Sequence, residues 1–562
     1  MHGKYGIRRH KSMDVSKKWK VIVAEPVGEV GLELLREAKD IELIEDPDMC
    51  REDFLKKLPE IDAVLTRSGT KMDEEALNAA QKLKVVARAG VGVDNVNIPV
   101  ASRKGVVVIN APTGNTLAAA EMTMALILSL VRKVPQAFSS LKNGKWDRKR
   151  FSGHQLNGKK LLVVGLGRIG VAVAQRCRAF GMDVFAYDPY TPRKKAESLG
   201  IPIREDLADA LSVADLVTLH MPLTPDTANM IDEQMLKAFK QGAYLVNCAR
   251  GGIVDEKAAA DAVRDGRLAG IAFDVYTSEP VNQDHPFMAK DIEDRIVITP
   301  HLGASTEEAQ SEVSRIAAAN MLAALRGEPY EHAVNLPFIE QKLNKTQKAY
   351  LDLSRKMGIL GAKLAEVECG AVHNTKITMR GELFSDDDHL PNRLCCYSTA
   401  FLKGLFEVTR GPDVTYMLAP LLAKDCGLTV EESIAESKTY KNTIEVVLDA
   451  EKCSVSILGT ITEEGRMRIV RVNDYWVDFV PAGKLILFKN HDRPGVIGKL
   501  GNILGEAEVN IANFALGRKE DSGLAFGALE IDGMFDDKLK KKLEKSGDML
   551  WLTFIDFQAV DR

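Results

Sequence analysis

From Lys159 onward the chain repeats one rhythm: an apolar run, a turn, then a helical pattern. The runs are LLVVG (161–165), DVFAYD (183–188), ADLVTLH (214–220), AYLVNCA (243–249), AGIAFDVY (269–276) and IVITP (296–300). Short apolar runs with little polar alternation, separated by helical periodicity, predict parallel strands covered on both faces. The expected fold is therefore α/β, a doubly wound parallel sheet of the Rossmann type. Upstream, WKVIVAE, AVLTRS, KVVARAG and VVVINAP predict the strands of a second, smaller α/β unit beginning near residue 16, against which the helical segment after His301 packs back. Between them, NTLAAAEMTMALILSLVRK (115–133) is apolar nearly all round and predicts a buried helix capped by Asn115 or Thr116, a candidate subunit contact.

Past HAVNLP (332–337) the pattern becomes strand-rich, with a helical stretch over roughly 393–425, and predicts an α+β module. The last 80 residues run strand, helix, strand, strand, helix, strand, the order of a ferredoxin-like βαββαβ unit. The resulting division is a tail at 1–15, a first domain at 16–112 and 304–334, the Rossmann domain at 113–303, and further domains at 335–482 and 483–562.

Composition narrows the function more than the fold. A chain of 562 residues is too long for one core, and a net charge of −4 gives no electrostatic case for nucleic acid or an anionic membrane. No stretch is apolar enough to span a bilayer, and the basic start lacks the core of a signal peptide. The eight cysteines show no C-x-x-C pair, which predicts reduced thiols in a cytoplasmic chain and no metal site. A small-molecule ligand is expected.

The turn GLGRIG follows the first strand of the repeat and opens a helix. Gly165, Gly167 and Gly170 stand at the spacing that lets backbone approach a pyrophosphate at a helix N-terminus. The next strand ends in Asp188, where an acid accepts hydrogen bonds from ribose hydroxyls and repels a 2′-phosphate, so NAD is expected over NADP. Ligands of open parallel sheets bind beyond the carboxyl ends of the strands. There the later runs lead to Arg250, to Asp274 and Glu279, and to His301. A lone histidine at a strand end is usually structural; one beside a guanidinium and a carboxylate has the parts for oxidising a hydroxy acid.

GLGRIG, VNCARGGIVDE (246–256), DVYTSEP (274–280) and TPHLGAST (299–306) resemble the D-isomer-specific 2-hydroxyacid dehydrogenases. RAGVGVDNV (88–96), NAPTGNTLAAAE (110–121) and HDRPGVIGKLGNILGEAEVNIA (491–512) resemble the long D-3-phosphoglycerate dehydrogenase branch, with a flavodoxin-like substrate domain, an intervening domain and a terminal ACT domain. The resemblance implies Arg250, Glu279 and His301 as the catalytic set, His301 exchanging the hydroxyl proton while Arg250 binds the carboxylate. It also implies that Arg168, Ile169, Asp188, Cys248, Ala249, Asp274 and Gly303 contact NAD. Arg67 and Asn110 would lie near 3-phosphoglycerate, with Arg148 or Lys149 of the basic cluster KWDRKR reaching its phosphate across a dimer.

In the ACT segment the resemblance implies an L-serine effector site at Asn490, Asp492 and Asn510, and a homo-oligomer, dimer or tetramer. The intervening segment departs from the family pattern at Leu418, where an asparagine is usual. Two other readings stand beside this one. A glyoxylate or hydroxypyruvate reductase would be indifferent to the phosphate, and a ligand-sensing protein on the same fold would need no intact Arg250, Glu279 and His301.

Overall fold

The structure is a computed structural model and describes residues 18–560 except 339, 385–393, 438, 520–522 and 546–548. The expected tail, residues 1–15, lies outside the described residues. The chain forms two compact units: residues up to Asn95 together with Ile109–Arg326, and Val96–Val108 together with the chain from Gly327 onward.

The first unit is built on two parallel sheets. One has the spatial order Ile41–Glu45, Trp19–Val23, Ala63–Thr66, Val85–Arg88. Its chain reverses direction across the sheet at Trp19–Val23, which pairs with Ile41–Glu45 on one side and Ala63–Thr66 on the other. That switch point puts Glu25 and Arg67 at adjacent carboxyl ends, where such sheets bind ligands. The long helix Glu307–Arg326 packs on Glu29–Glu37.

The other sheet contains all six apolar runs, in the order Ile296–Ile298, Leu268–Phe273, Ala243–Asn247, Leu216–Leu219, Lys160–Val164, Asp183–Tyr187. Leu161, Leu162, Val163 and Val164 are all essentially without solvent contact, because helices cover both faces. The reversal here falls at Lys160–Val164, so the glycine turn and His220 end neighbouring strands. The helix Thr116–Arg132 forms as expected and buries Ala120, Ile127 and Leu130. Asn115 precedes it without making a side-chain cap.

In the second unit, a mixed sheet runs Thr429–Ala435, Val372–Arg380, Thr443–Ala450, Ser454–Ile461, Met467–Val472, Tyr475–Phe479, with helices Lys345–Glu368 and Cys396–Arg410 packed together. The terminal βαββαβ sheet is ordered Asn510–Lys519, Leu524–Asp532, Lys484–His491, Met549–Asp556. One of its faces holds Ile486, Phe488 and Leu529 against Leu500, Leu504 and Leu543 of its own helices. The other face, with Leu485, Leu487, Phe526 and Ile555, belongs to the same core as Leu353, Met357 and Tyr475. The two modules expected to be separate thus share one hydrophobic interior. The segment Val96–Val108, expected in the first domain, groups with this unit. Val108 N–H donates to the Asn335 side chain (2.8 Å), and Asn335 Nδ2 donates to Ser102 Oγ and Val106 O.

One expectation about the cysteines is corrected. Cys369 and Cys453, 84 residues apart, form a disulfide. Lys452 N–H donates to Cys369 O (3.0 Å), which aligns the end of helix Lys345–Glu368 with the start of strand Ser454–Ile461 and brings the two Cα atoms to 4.9 Å. That approach is made by the fold, so no local cysteine spacing announces it.

Candidate active site

The glycine turn is shaped for an anion. Gly165 has φ +94°, open to glycine without strain, and a Cβ there would lie 2.6 Å from His220 O. Gly167 caps the helix Arg168–Ala179 with nothing within 4 Å of where its Cβ would be. Space therefore exists in front of the first helical amides, whose N–H groups have no partners within the helix. Asp188 ends the next strand and braces the turn: its Oδ2 accepts Leu166 N–H (2.8 Å) and the Thr191 hydroxyl (2.9 Å), while Oδ1 accepts Tyr190 N–H (2.8 Å).

A cleft of about 380 Å³ joins this turn to the strand ends and is lined by Gly167, Arg168, Ile169, Cys248, Ala249, Arg250, Asp274, His301 and Gly303. Most of the residues expected at a dinucleotide line this one cleft, while Asp188 acts on it through the turn that it braces. Asp274 is fully buried and spends its oxygens on protein donors: Thr299 Oγ1 (2.5 Å), Leu302 N–H (2.8 Å) and Gly303 N–H (2.7 Å). It acts by fixing the loop after His301. Burial, with Asp274 adding to it, pushes the Cys248 thiol up to about 12, which keeps it protonated and inert as a nucleophile.

His301 stands at φ +55°, a left-handed conformation that is uncommon for a residue with a side chain. Its Nδ1 meets Glu279 Oε2 at 2.8 Å, and Glu279 Oε1 accepts Tyr276 N–H at 3.0 Å. Tyr276 in turn donates its hydroxyl to Thr299 O (2.9 Å), two residues before His301. With Nδ1 engaged by the carboxylate, Nε2 is the nitrogen left for a ligand. His301 and Glu279 also share a second cavity of about 580 Å³ with Pro280, Val281 and Met288.

Opposite lies a set of guanidinium groups. Arg250 donates to Ala249 O (2.7 Å) and stands 3.5 Å from Asp94 Oδ2. Arg88, not anticipated from the sequence, donates from Nε to Arg67 O (3.0 Å). Burial, aided by the neighbouring Arg250 charge, brings Arg88 down to about 10, as expected of cations gathered where an anion is to bind. Glu25 organises the loop that carries Arg67. It accepts the Thr66 hydroxyl (2.6 Å) and the N–H groups of Arg67 (2.7 Å), Gly69 (2.8 Å) and Thr70 (2.9 Å). Burial works to raise its carboxyl, but these donors outweigh it and hold the group below the ordinary range. Asn110 donates to Val91 O (2.6 Å) and so supports the same region.

His220 also went unnoticed as a cleft residue. Its Nε2 pairs with Thr218 Oγ1 (3.0 Å), its Nδ1 is buried with no partner among the described residues, and burial brings it down to about 3, so it is neutral. Arg148 and Lys149 are exposed and do not line this cleft, whereas their neighbour Arg150 is committed to Asp294.

In the terminal module Asn490 is 2 % exposed, its Nδ2 donates to its own neighbour, His491 O (2.7 Å), and its Oδ1 is buried without a partner among the described residues. The strand register turns it inward, opposite Ala525. Asp492 pairs with Arg518 (3.2 Å), and exposed Asn510 donates to Asp532 (3.1 Å).

Three family models match successive parts of the chain: the NAD binding domain of D-isomer specific 2-hydroxyacid dehydrogenase over residues 124–303, the D-3-phosphoglycerate dehydrogenase intervening domain over 346–473, and the ACT domain over 484–548. A D-3-phosphoglycerate dehydrogenase of Methanocaldococcus jannaschii is 38 % identical over 94 % of this chain and 97 % of its own. Among solved structures, the TT0316 protein from Thermus thermophilus aligns with a TM-score of 0.52 at 34 % identity, covering 56 % of this chain and 99 % of that one. An NAD-dependent formate dehydrogenase from Staphylococcus aureus in complex with NAD aligns with a TM-score of 0.50 at 29 % identity, covering 56 % and 97 %. With the near-full-length relative and the order of the three matched domains in agreement, the chain belongs to the D-3-phosphoglycerate dehydrogenase family of NAD-dependent 2-hydroxyacid dehydrogenases.

Proposed function

We propose that the chain oxidises 3-phospho-D-glycerate to 3-phosphooxypyruvate, the opening step of L-serine synthesis. The observation that supports this reading is that His301, whose Nδ1 meets Glu279, lines one cleft with Arg250 and the glycine turn. Bound NAD supplies the hydride acceptor. Arg250 binds the substrate carboxylate and polarises the carbonyl oxygen that forms. His301 Nε2 takes the hydroxyl proton, and Glu279 stabilises the imidazolium at Nδ1. In the reverse direction the same proton returns from Nε2. Arg67 and Arg88 supply further positive charge for a substrate that carries both a carboxylate and a phosphate.

The proposal includes a homodimer, the first step towards a tetramer. Val134, Phe138, Leu141 and Trp146 are exposed on and just after the helix Val134–Lys142, an apolar set suited to a second copy, which would bring Arg148 or Lys149 to the substrate phosphate. Asn490, Asp492 and Asn510 are the candidates for a serine site. A cytoplasmic location completes the reading; the disulfide is an exception for such a compartment. No helix among the described residues is long and apolar enough to cross a membrane.

The test is NADH formation from 3-phosphoglycerate and NAD, with and without L-serine, in the parent and in His301→Ala. Turnover in the parent that falls by about three orders of magnitude or more in the variant, with NADH binding retained, supports the reading. Unchanged turnover in the variant removes His301 from the mechanism.

A further inference from the structure

A second histidine–glutamate pair lies behind His301 and Glu279. Glu256 opens the helix Glu256–Arg264, directly after its cap Asp255, and its side chain is 11 % exposed. Its Oε2 faces His285 Nε2 at 2.8 Å, and its Oε1 accepts both the N–H (2.7 Å) and the hydroxyl (2.9 Å) of Thr277. His285 Nδ1 accepts Phe287 N–H (3.2 Å), so this nitrogen is bare and the ring proton sits on Nε2, pointing at Glu256. The imidazole is wedged edge-on between the rings of Tyr276 and Phe287, at 5.8 and 4.9 Å between centroids. Nothing in the proton transfer outlined above uses this pair, yet burying a carboxylate requires that its bonds be made well.

The two pairs meet on consecutive amides. Tyr276 N–H donates to Glu279, which holds His301, and Thr277 N–H donates to Glu256, which is held by His285. Moving either amide rotates the peptide that carries the other. We propose that Glu256 and His285 are positioning residues for the reaction: His285 orients the Glu256 carboxylate through Nε2, Glu256 pins the turn at Thr277, and the pinned turn sets Glu279 and through it the direction of His301 Nε2. The arrangement follows the general observation that groups bonded to a reacting residue's partner keep it within the narrow geometry that turnover demands. The proposal rests on the assignment of His301 as the proton carrier, but not on which 2-hydroxy acid is oxidised.

The variants are Glu256→Gln, His285→Phe and His285→Gln in the full-length chain. Glutamine at 256 retains one acceptor but turns an N–H₂ towards the His285 proton. Phenylalanine at 285 keeps the ring and loses the donor, and glutamine at 285 restores a donor. Two measurements are made on each: hydrogen–deuterium exchange of the peptide spanning 274–285 without ligand, and kcat and KM with the best 2-hydroxy acid. Glu256→Gln and His285→Phe should exchange about 10-fold faster at Tyr276 and Thr277 and lose about 10- to 100-fold in kcat, with KM for NAD and acid within about 3-fold. The primary isotope effect with C2-deuterated acid should rise, and His285→Gln should recover most of the loss. Exchange that rises while kcat stays within 2-fold would make the pair merely structural and overturn the proposal, as would unchanged exchange. A parent that oxidises an unphosphorylated acid and not 3-phosphoglycerate overturns the substrate assignment alone, and the kcat comparison is then read with that acid.

Discussion

Replacing Glu25 by glutamine should loosen the substrate loop more than any exposed ion pair could. Three donors, the Thr66 hydroxyl and the Arg67 and Thr70 N–H groups, converge on Oε1, and Gly69 N–H reaches Oε2. The glutamine oxygen can still accept the first three, now as neutral bonds, while its N–H₂ opposes Gly69 N–H. Bonds to a charged group contribute about 1.5–3 kcal/mol against about 0.5–1.5 for neutral ones, and a donor left unmade costs about 1–3. Discounted because Glu25 is only partly buried, the loop should lose about 3 kcal/mol, or about 100-fold in the equilibrium for opening. The peptide bond after Arg67 is itself a trypsin site, so native-state cleavage there reads the opening directly. KM for the acid should rise about 10-fold and KM for NAD should not move. Because the folded Glu25 carboxyl titrates below its ordinary 4.5, the parent's advantage is complete above that pH and is lost as pH falls through the lower folded value. Melting temperatures of parent and variant should therefore converge on acidification from pH 7. Cleavage after Arg67 at the parental rate, or a stability gap that does not narrow as the pH is lowered below 4.5, would refute the reasoning.

Two other perturbations have expected outcomes. Asp188→Ala removes both the acceptor for a ribose and the brace on Leu166 N–H, and should weaken NAD binding at least 10-fold while narrowing its preference over NADP, as titrated by fluorescence; equal affinities for both cofactors in the parent would remove the basis for it. Cys369→Ser opens a link spanning 84 residues and should cost the second unit about 2–4 kcal/mol in denaturant unfolding, with NADH binding unchanged.

Local pattern carried much of the architecture because the signals of a parallel sheet are local: six apolar runs became six strands, and the residues just past them became the cleft. Arg250, Glu279 and His301 were legible for the same reason, each lying three to six residues past the end of a strand. Arg88 ends a strand of the other sheet by the same rule but was read only as part of the run KVVARAG and of the segment RAGVGVDNV, and Glu25 only as the end of a run. Their roles depend on which strands are neighbours, a fact of topology that no window of sequence contains. The burial of Asn490 is a matter of register. A strand alternates faces, and only the pairing with Leu524–Asp532 shows that this asparagine turns inward. The disulfide and the grouping of 96–108 with the second unit depend on contacts between distant segments, to which periodicity is blind.

Among the described residues, the terminal sheet is covered on both faces except at the start of its edge strand Asn510–Lys519. Its helices cover one side, and on the other Phe526 stacks on Tyr475 at 6.1 Å while Lys489 pairs with Glu368 at the end of the helix Lys345–Glu368. Such a module cannot be exchanged between relatives as a cassette. A graft at Gly483 would carry a foreign apolar surface onto Tyr475 and Met357, and would fold only if its partners across that seam were transplanted with it. Substitutions on the two sides of the seam must therefore be inherited as pairs.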